Sequence, residues 1–240
     1  MPRFVTLLLL AFCCGCENVF FKQPQPSDEA NLPEIPSSLI GKYFQTGEKT
    51  DCDSALLSVS SKQFTYTKVK WKKIPLSDTA TIRKAKLNLQ KKSGKDGNFI
   101  SNYSSFETKD TLFFREEDVS KMILGPRNSF RPFGKNFILN HTDTIPADSS
   151  WYVIVIRPQT NGISVCMPFI GEHILPADSV EMEDIPADST FAFYSSCSPF
   201  EEEDGFWGFQ FYRTDPTPAE LQCLFDKGLF TEFARFEKIK

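Results

Sequence analysis

From Phe64 to Ile74 the sequence reads FTYTKVKWKKI, which puts Lys68, Lys70 and Lys72 on one side of an extended chain and Val69 and Trp71 on the other. Successive side chains of a strand point to opposite faces, so this period of two marks a β-strand with one wet face. The lysine row reads as the solvated face, with anion binding as the alternative. The signal recurs along the chain. Leu39–Phe44 reads as a first strand, Thr79–Leu89 and Thr111–Arg115 as strands around a polar loop at 91–97, and Phe206–Tyr212 as another. Trp151–Ile156 is apolar on both faces and belongs centrally in a sheet; Pro158–Gly162 joins it to Ile163–Ile170 as a hairpin, with Asn161-Gly162 suited to the tight connection. Leu229–Ile239 alternates again and is expected to pair with the first strand. The 24 phenylalanines supply an aromatic-rich β core. One helix is expected: Thr217-Pro218-Ala219-Glu220 is a capping box, Leu221–Lys227 continues it and Gly228 stops it. The fold class is therefore mainly β, an antiparallel sheet or else a barrel or sandwich, with one short C-terminal helix.

The N-terminus sets the address. Phe4–Phe12 (FVTLLLLAF) is an apolar run of nine residues behind Arg3. A membrane-spanning helix needs about 20 apolar residues, so the run fits the core of a secretory signal instead. It leads into Cys13-Cys14-Gly15-Cys16, which resembles the lipobox of bacterial lipoproteins. Gly15-Cys16 matches its last two positions, while Cys13 and Cys14 depart from its usual leucine and small residue. The resemblance implies removal of residues 1–15 and a diacylglycerol on the Cys16 sulfur. The Cys13–Cys16 spacing also mimics a CxxC motif, but cleavage would split it. Pro24, Pro26, Pro33 and Pro36 lie among polar residues, so residues 16–38 read as a lipidated, semi-rigid tether. Phe20-Phe21 is its exception and either packs back on the domain or sits at the lipid interface. The folded part is expected at 39–240, with a break between two subdomains near 116–135.

Four cysteines follow the anchor: Cys52, Cys166, Cys197 and Cys223. An oxidising compartment permits two disulfides among them, in three connectivities, and four separate buried thiols are the other reading. Of the 15 aspartates, seven precede Ser or Thr, and six of those seven go on to Ala, Leu, Ile, Val or Thr. These triplets resemble the Asp-Ser/Thr-apolar O-glycan acceptor of exported Bacteroidota proteins, which implies candidate glycosylation at Ser54, Thr79, Thr111, Thr144, Ser179 and Ser189. The same triplet also marks a turn entering a strand, because Asp bonds to nearby backbone. A related loop, Ile/Leu-Pro-Ala-Asp-Ser, occurs at 145–149, 175–179 and 185–189, at spacings too unequal for a solenoid.

The formal net charge of −4 gives no electrostatic reason to expect nucleic acid as a partner. Nucleotide, hydrolase and zinc-protease motifs are absent from the sequence, and no catalytic residue, metal or cofactor is assigned. His141 reads as a loop residue. Glu172-His173 is the one adjacent acid–base pair, and the acidic runs at 181–184 and 201–204 read as solvated loops. Gly41-Lys42-Tyr43 resembles the Gly-x-Trp opening of lipocalin-like barrels, which implies a cavity for an apolar ligand.

Taken over most of the chain, these features resemble small lipoproteins of the Bacteroidota. The resemblance implies an outer-membrane protein held by lipid on Cys16. Glu17 stands alone after the cysteine, without the acidic tract of surface-exposed members, so the periplasmic face is favoured. Three functions stay open: a non-enzymatic β domain that binds an unknown protein or supports the envelope, a lipocalin-like carrier of a small apolar ligand, and an envelope hydrolase in which His173 or an acidic cluster converges with other polar groups in a cleft.

Overall fold

The computed structural model describes residues 18–46, 53–89, 99–142, 150–170, 193–204 and 210–239. The chain forms two compact units, one from Arg3–Glu34 and Leu124–Ala234 and the other from Ile35–Ile123 and Arg235–Lys240. The fold is mainly β, as the alternating pattern requires.

The second unit holds strands β2 (Gly41–Thr46), β3 (Ser54–Val59), β4 (Gln63–Pro75), β5 (Phe99–Glu107) and β6 (Thr111–Ile123). It also takes the C-terminal half of the last described strand, β13 (Phe230–Lys238). Its strands pair antiparallel in the order β5-β6-β4-β3-β2-β13. Arg235–Lys238 of β13 lies against Tyr43–Thr46 of β2, so the last strand does pair with the first strand read from sequence. The long β4–β6 ladder sets Lys68 opposite Asp118 and Lys70 opposite Glu116, cross-strand pairs of opposite charge that favour this register. Ile74, Leu112 and Phe114 form a small core under Ala85, with Ile82 and Tyr103 packed against it.

Thr79–Leu89, expected as a strand, is helix α1. The Asp78 carboxylate accepts the Thr81 N–H at 3.0 Å and caps the first turn. The interior is rich in strong helix formers (Ala, Arg, Lys, Leu), and Ile82 and Ala85, three apart, both reach the core. The Asp-Thr-Ala triplet here opens a helix, not a strand.

The first unit contains β1 (Asn18–Phe21), β7 (Asn128–Phe133), β8 (Asn136–His141), β9 (Tyr152–Gln159) and β10 (Gly162–Pro168). Then follow β11 (Phe200–Asp204), β12 (Gln210–Thr214), helix α2 (Pro218–Asp226) and the first half of β13. β7 to β10 are successive antiparallel neighbours, while β1, β12 and β11 form a separate small sheet in which β1 runs parallel to β12. The β9–β10 hairpin falls where expected, but its turn is Thr160-Asn161, and Gly162 is already in β10 opposite Gln159. β7 and β8 turn through Gly134-Lys135, with Gly134 at φ 57°, which a residue without Cβ adopts freely. The strand expected at Phe206–Tyr212 is found at Gln210–Thr214; 205–209 lie outside the described residues.

Helix α2 matches its sequence signature. The Thr217 N–H donates to the Glu220 carboxylate at 2.7 Å, the Thr217 hydroxyl accepts the Glu220 N–H at 3.4 Å, and Gly228 takes φ 83° just past the end. Leu221 and Leu224 face a core shared with Phe21, Ile138, Val155 and Phe230. Cys223 also lies on α2 and is disulfide-bonded to Cys197, 26 residues earlier. Cys166, a candidate for pairing, is instead a buried free thiol on β10, and Cys52 lies outside the described residues.

The segment expected to be a tether is packed from Asn18 onward. Val19 and Phe21 are buried, and Phe21 exchanges both backbone hydrogen bonds with Trp151 at 3.0 and 2.9 Å. The physical reason lies in the prolines. They remove N–H donors but leave carbonyls that must be satisfied. Arg131 on β7 donates to the Pro24 and Pro26 carbonyls at 2.8 and 2.6 Å and to the Asn31 side chain at 2.7 Å. The fully buried Asn140 side chain brackets Gln25, accepting its N–H at 2.7 Å and donating to its carbonyl at 2.8 Å. Between Gln25 and Pro26 the peptide bond is cis. Further on, Ile35 and Leu39 are buried in the second unit.

Candidate functional site

Among the described residues, the candidates for chemistry are engaged in structure. His141 lies in β8, not in a loop; its Nδ1 is 2.7 Å from the Asn128 side-chain oxygen, and its ring stacks on Tyr152 at 6.0 Å. The Cys166 thiol is fully buried, and burial pushes its pKa up to about 11; Glu232 adds to the rise and Arg157 opposes it. A protonated thiol without solvent access is a core residue, not a nucleophile. Around it, Arg157 donates to the Phe230 carbonyl at 3.1 Å and lies 4.7 Å over the Phe225 ring, while the Ser164 hydroxyl donates to Glu232 at 2.6 Å. These contacts tie β9, β10, α2 and the start of β13 together.

The aspartates of the described triplets hold backbone or neighbouring hydroxyls. Asp53 accepts the Trp71 N–H, and Ser54 opens β3, half-buried. Asp78 caps α1, and that N–H bond from Thr81 holds its carboxyl below the usual range; Thr79 is exposed. Asp110 accepts the Thr111 hydroxyl at 3.1 Å where Thr111 opens β6. Thr144, Ser179 and Ser189 lie outside the described residues, as do Cys16, the Glu172-His173 pair and the acidic run at 181–184. The Gly-x-Tyr opening buries Tyr43, whose hydroxyl donates to the Leu39 carbonyl at 2.7 Å.

The lysine row is not an open cationic face. Lys68 and Lys70 are half-buried opposite Asp118 and Glu116, and Lys72 approaches Glu116 at 3.4 Å. Those carboxylates neutralise the row within the sheet.

The surface with binding character lies on the other face of the same strands. Trp71 was expected on the dry side of β4, yet it is 40% exposed. Its neighbour Phe106 on β5, 52% exposed, lies 6.1 Å away edge-on, and Phe106 stacks on Phe113 of β6 at 4.8 Å and 6°. Two cations lie over the ends: the Arg115 guanidinium 5.9 Å above Trp71 and the Lys73 ammonium 5.8 Å above Phe113. Register explains the grouping, since Trp71 opposes Arg115, Lys73 opposes Phe113 and Phe113 opposes Phe106. An exposed platform of flat apolar rings rimmed by cations can stack on or cover a partner group, with aromatic hot-spot chemistry at its centre. Sequence reasoning missed it because Phe106 belongs to a strand that the sequence pattern did not announce. The local signal was its alternation: Tyr103, Ser105 and Glu107 on one face, Asn102, Ser104 and Phe106 on the other.

Among the described residues no group of three or more metal-type ligands converges, and no helix is long and apolar enough to cross a membrane. In comparisons with known proteins, no family model, no curated protein and no solved structure matches this chain.

Proposed function

We propose that this chain is an exported lipoprotein, anchored by lipid on Cys16 to the periplasmic face of an outer membrane, whose β domain is a non-enzymatic binding element of the envelope. The observation that carries the binding half is the exposed Trp71–Phe106–Phe113 platform with Arg115 and Lys73 over its rings. The envelope half draws support from the apolar signal at Phe4–Phe12, the Gly15-Cys16 ending and the Cys197–Cys223 disulfide, a bond that persists in oxidising compartments. The partner is a protein or apolar group able to cover aromatic rings.

Mass spectrometry of the protein purified from its native membrane tests the address. A mature N-terminus at a diacylglyceryl Cys16 is expected, and a chain that keeps Met1 or starts elsewhere without lipid refutes it. In the same cells, a photoreactive phenylalanine analogue at position 106 is expected to cross-link an envelope component, and Trp71→Ala is expected to abolish the product. Cross-linking that is indifferent to Trp71 removes the platform from the reading.

A further inference from the structure

The first described strand begins two residues after Cys16, and this fixes which face of the first unit meets the lipid. β1 starts at Asn18, hydrogen-bonded into the small sheet with Asn18 opposite Phe211. Two residues of fully extended chain reach at most about 7 Å. The polar layer of one leaflet is about 5–8 Å thick. Whatever path Glu17 takes, a lipid on Cys16 therefore holds Asn18, and Phe211 beside it, at the level of the head groups.

At that place the small sheet shows an aromatic outer face. Val19 and Phe21 point into the core, so Phe20 points outward, and on β12 the buried Tyr212 and Thr214 leave Phe211 outward as well. Phe20 packs edge-on against Tyr152 of β9 at 4.8 Å and against Phe211 at 5.4 Å, and all three rings stay partly exposed. A tyrosine, with an apolar body and a polar tip, favours the membrane–water interface, and phenylalanine supplies apolar area for the headgroup–acyl boundary. Charged residues share this face: the register sets Arg213 opposite both Phe20 and Glu201, and Glu203 opposite Phe211. Lys22 pairs with Glu201 at 2.6 Å, and Arg213 donates to the Ser150 hydroxyl at 2.9 Å.

We infer that the Phe20–Phe211–Tyr152 face is a lipid-docking surface: the first unit lies directly on the bilayer interface beside its own anchor. The inference rests on lipidation of Cys16 and adds to it a defined orientation. Its occupant is a phospholipid surface, argued from the length of chain between the anchor and β1.

The test uses the full-length, processed protein in vesicles of phosphatidylethanolamine and phosphatidylglycerol, with p-benzoylphenylalanine replacing Phe20 or, separately, Phe211. Illumination is followed by mass spectrometry of the adducts, with the exposed Phe233 on β13 of the same unit as an aromatic control and the Cys16 peptide read in the same samples. Several-fold more phospholipid adduct at Phe20 and Phe211 than at Phe233 is the expected result. Equal adducts at all three positions, adducts to a second protein copy, or none at Phe20 and Phe211 in a lipidated chain overturn the docking surface alone. A Cys16 peptide without lipid overturns the lipoprotein reading and takes this inference with it.

Discussion

Replacing Phe21 with alanine separates a packed N-terminal segment from a free tether more sharply than any other single change. The ring has no exposed surface, lies 6.3 Å from Phe230 in a near-parallel stack, and belongs to the core shared by Val155, Leu221 and Leu224. Removing a buried phenylalanine ring costs about 3–5 kcal/mol, the lost transfer energy plus the cavity left behind. For a unit of this size each kcal/mol lowers the melting temperature by about 2–4 °C, so the fall is about 6–20 °C. The assay is thermal and urea unfolding of residues 16–240 with Cys16→Ser, which excludes the proposed lipid from the measurement. Pro33→Ala serves as control: it lies in the same proline-rich stretch but is exposed, and its effect is expected within about 0.5 kcal/mol. A Phe21→Ala protein that unfolds with wild type refutes the docked strand and restores the tether.

Other changes probe other contacts. Cys197→Ser with Cys223→Ser opens a loop spanning 26 residues, and the chain-entropy account gives a loss of about 3–4 kcal/mol, read as a lower urea midpoint that reductant reproduces in wild type. Thr217→Ala removes the side-chain half of the α2 capping box and is expected to cost about 1 kcal/mol by the same assay, with Thr217→Ser restoring most of it. Asp118 has its pKa raised by burial and by Glu116, against the Ser101 hydroxyl bond and Lys68. Because its folded pKa lies above the unfolded value, its favourable contribution is present at acid pH and lost as pH rises through the folded pKa. Asp118→Asn is therefore expected to be at least as stable as wild type at pH 7 and to flatten that fall; a neutral-pH destabilisation would contradict the sign.

Legibility followed range. β4, β9, β10 and β13 declared themselves because alternation or an unbroken apolar run is written into consecutive residues, and α2 did so because its cap and stop lie within a dozen positions. β1 is four residues long and gains its identity from Phe211 and Trp151, far away in sequence, so nothing local distinguishes it from the proline-rich stretch that follows. β7 was hidden because Pro132 interrupts a short run. Asp78-Thr79-Ala80 carried a true boundary, but an aspartate that bonds to following backbone serves a helix start as readily as a strand start. The lysines of β4 looked solvent-bound because Glu116 and Asp118, which oppose them, sit on another strand. Trp71 was assigned a dry face by parity alone, whereas its exposure depends on what covers the sheet.

The place of β13 also bears on the order in which the molecule can be made. Residues 41–123 emerge from the ribosome early, and β2 pairs with β3 among them, yet its second neighbour comes only when Arg235–Lys238 arrives, long afterwards. Until then the β2 edge offers unpaired N–H and C=O groups, and closing it spans almost the whole chain, a slow, non-local step. A second unit that completes its sheet only after β13 emerges suits the export proposed above, in which the chain is translocated before it folds. Ribosome-stalled chains ending near residue 230 should leave 41–123 protease-sensitive, and release of the full chain should protect it. Resistance in the stalled chain would show that β13 is dispensable for that closure.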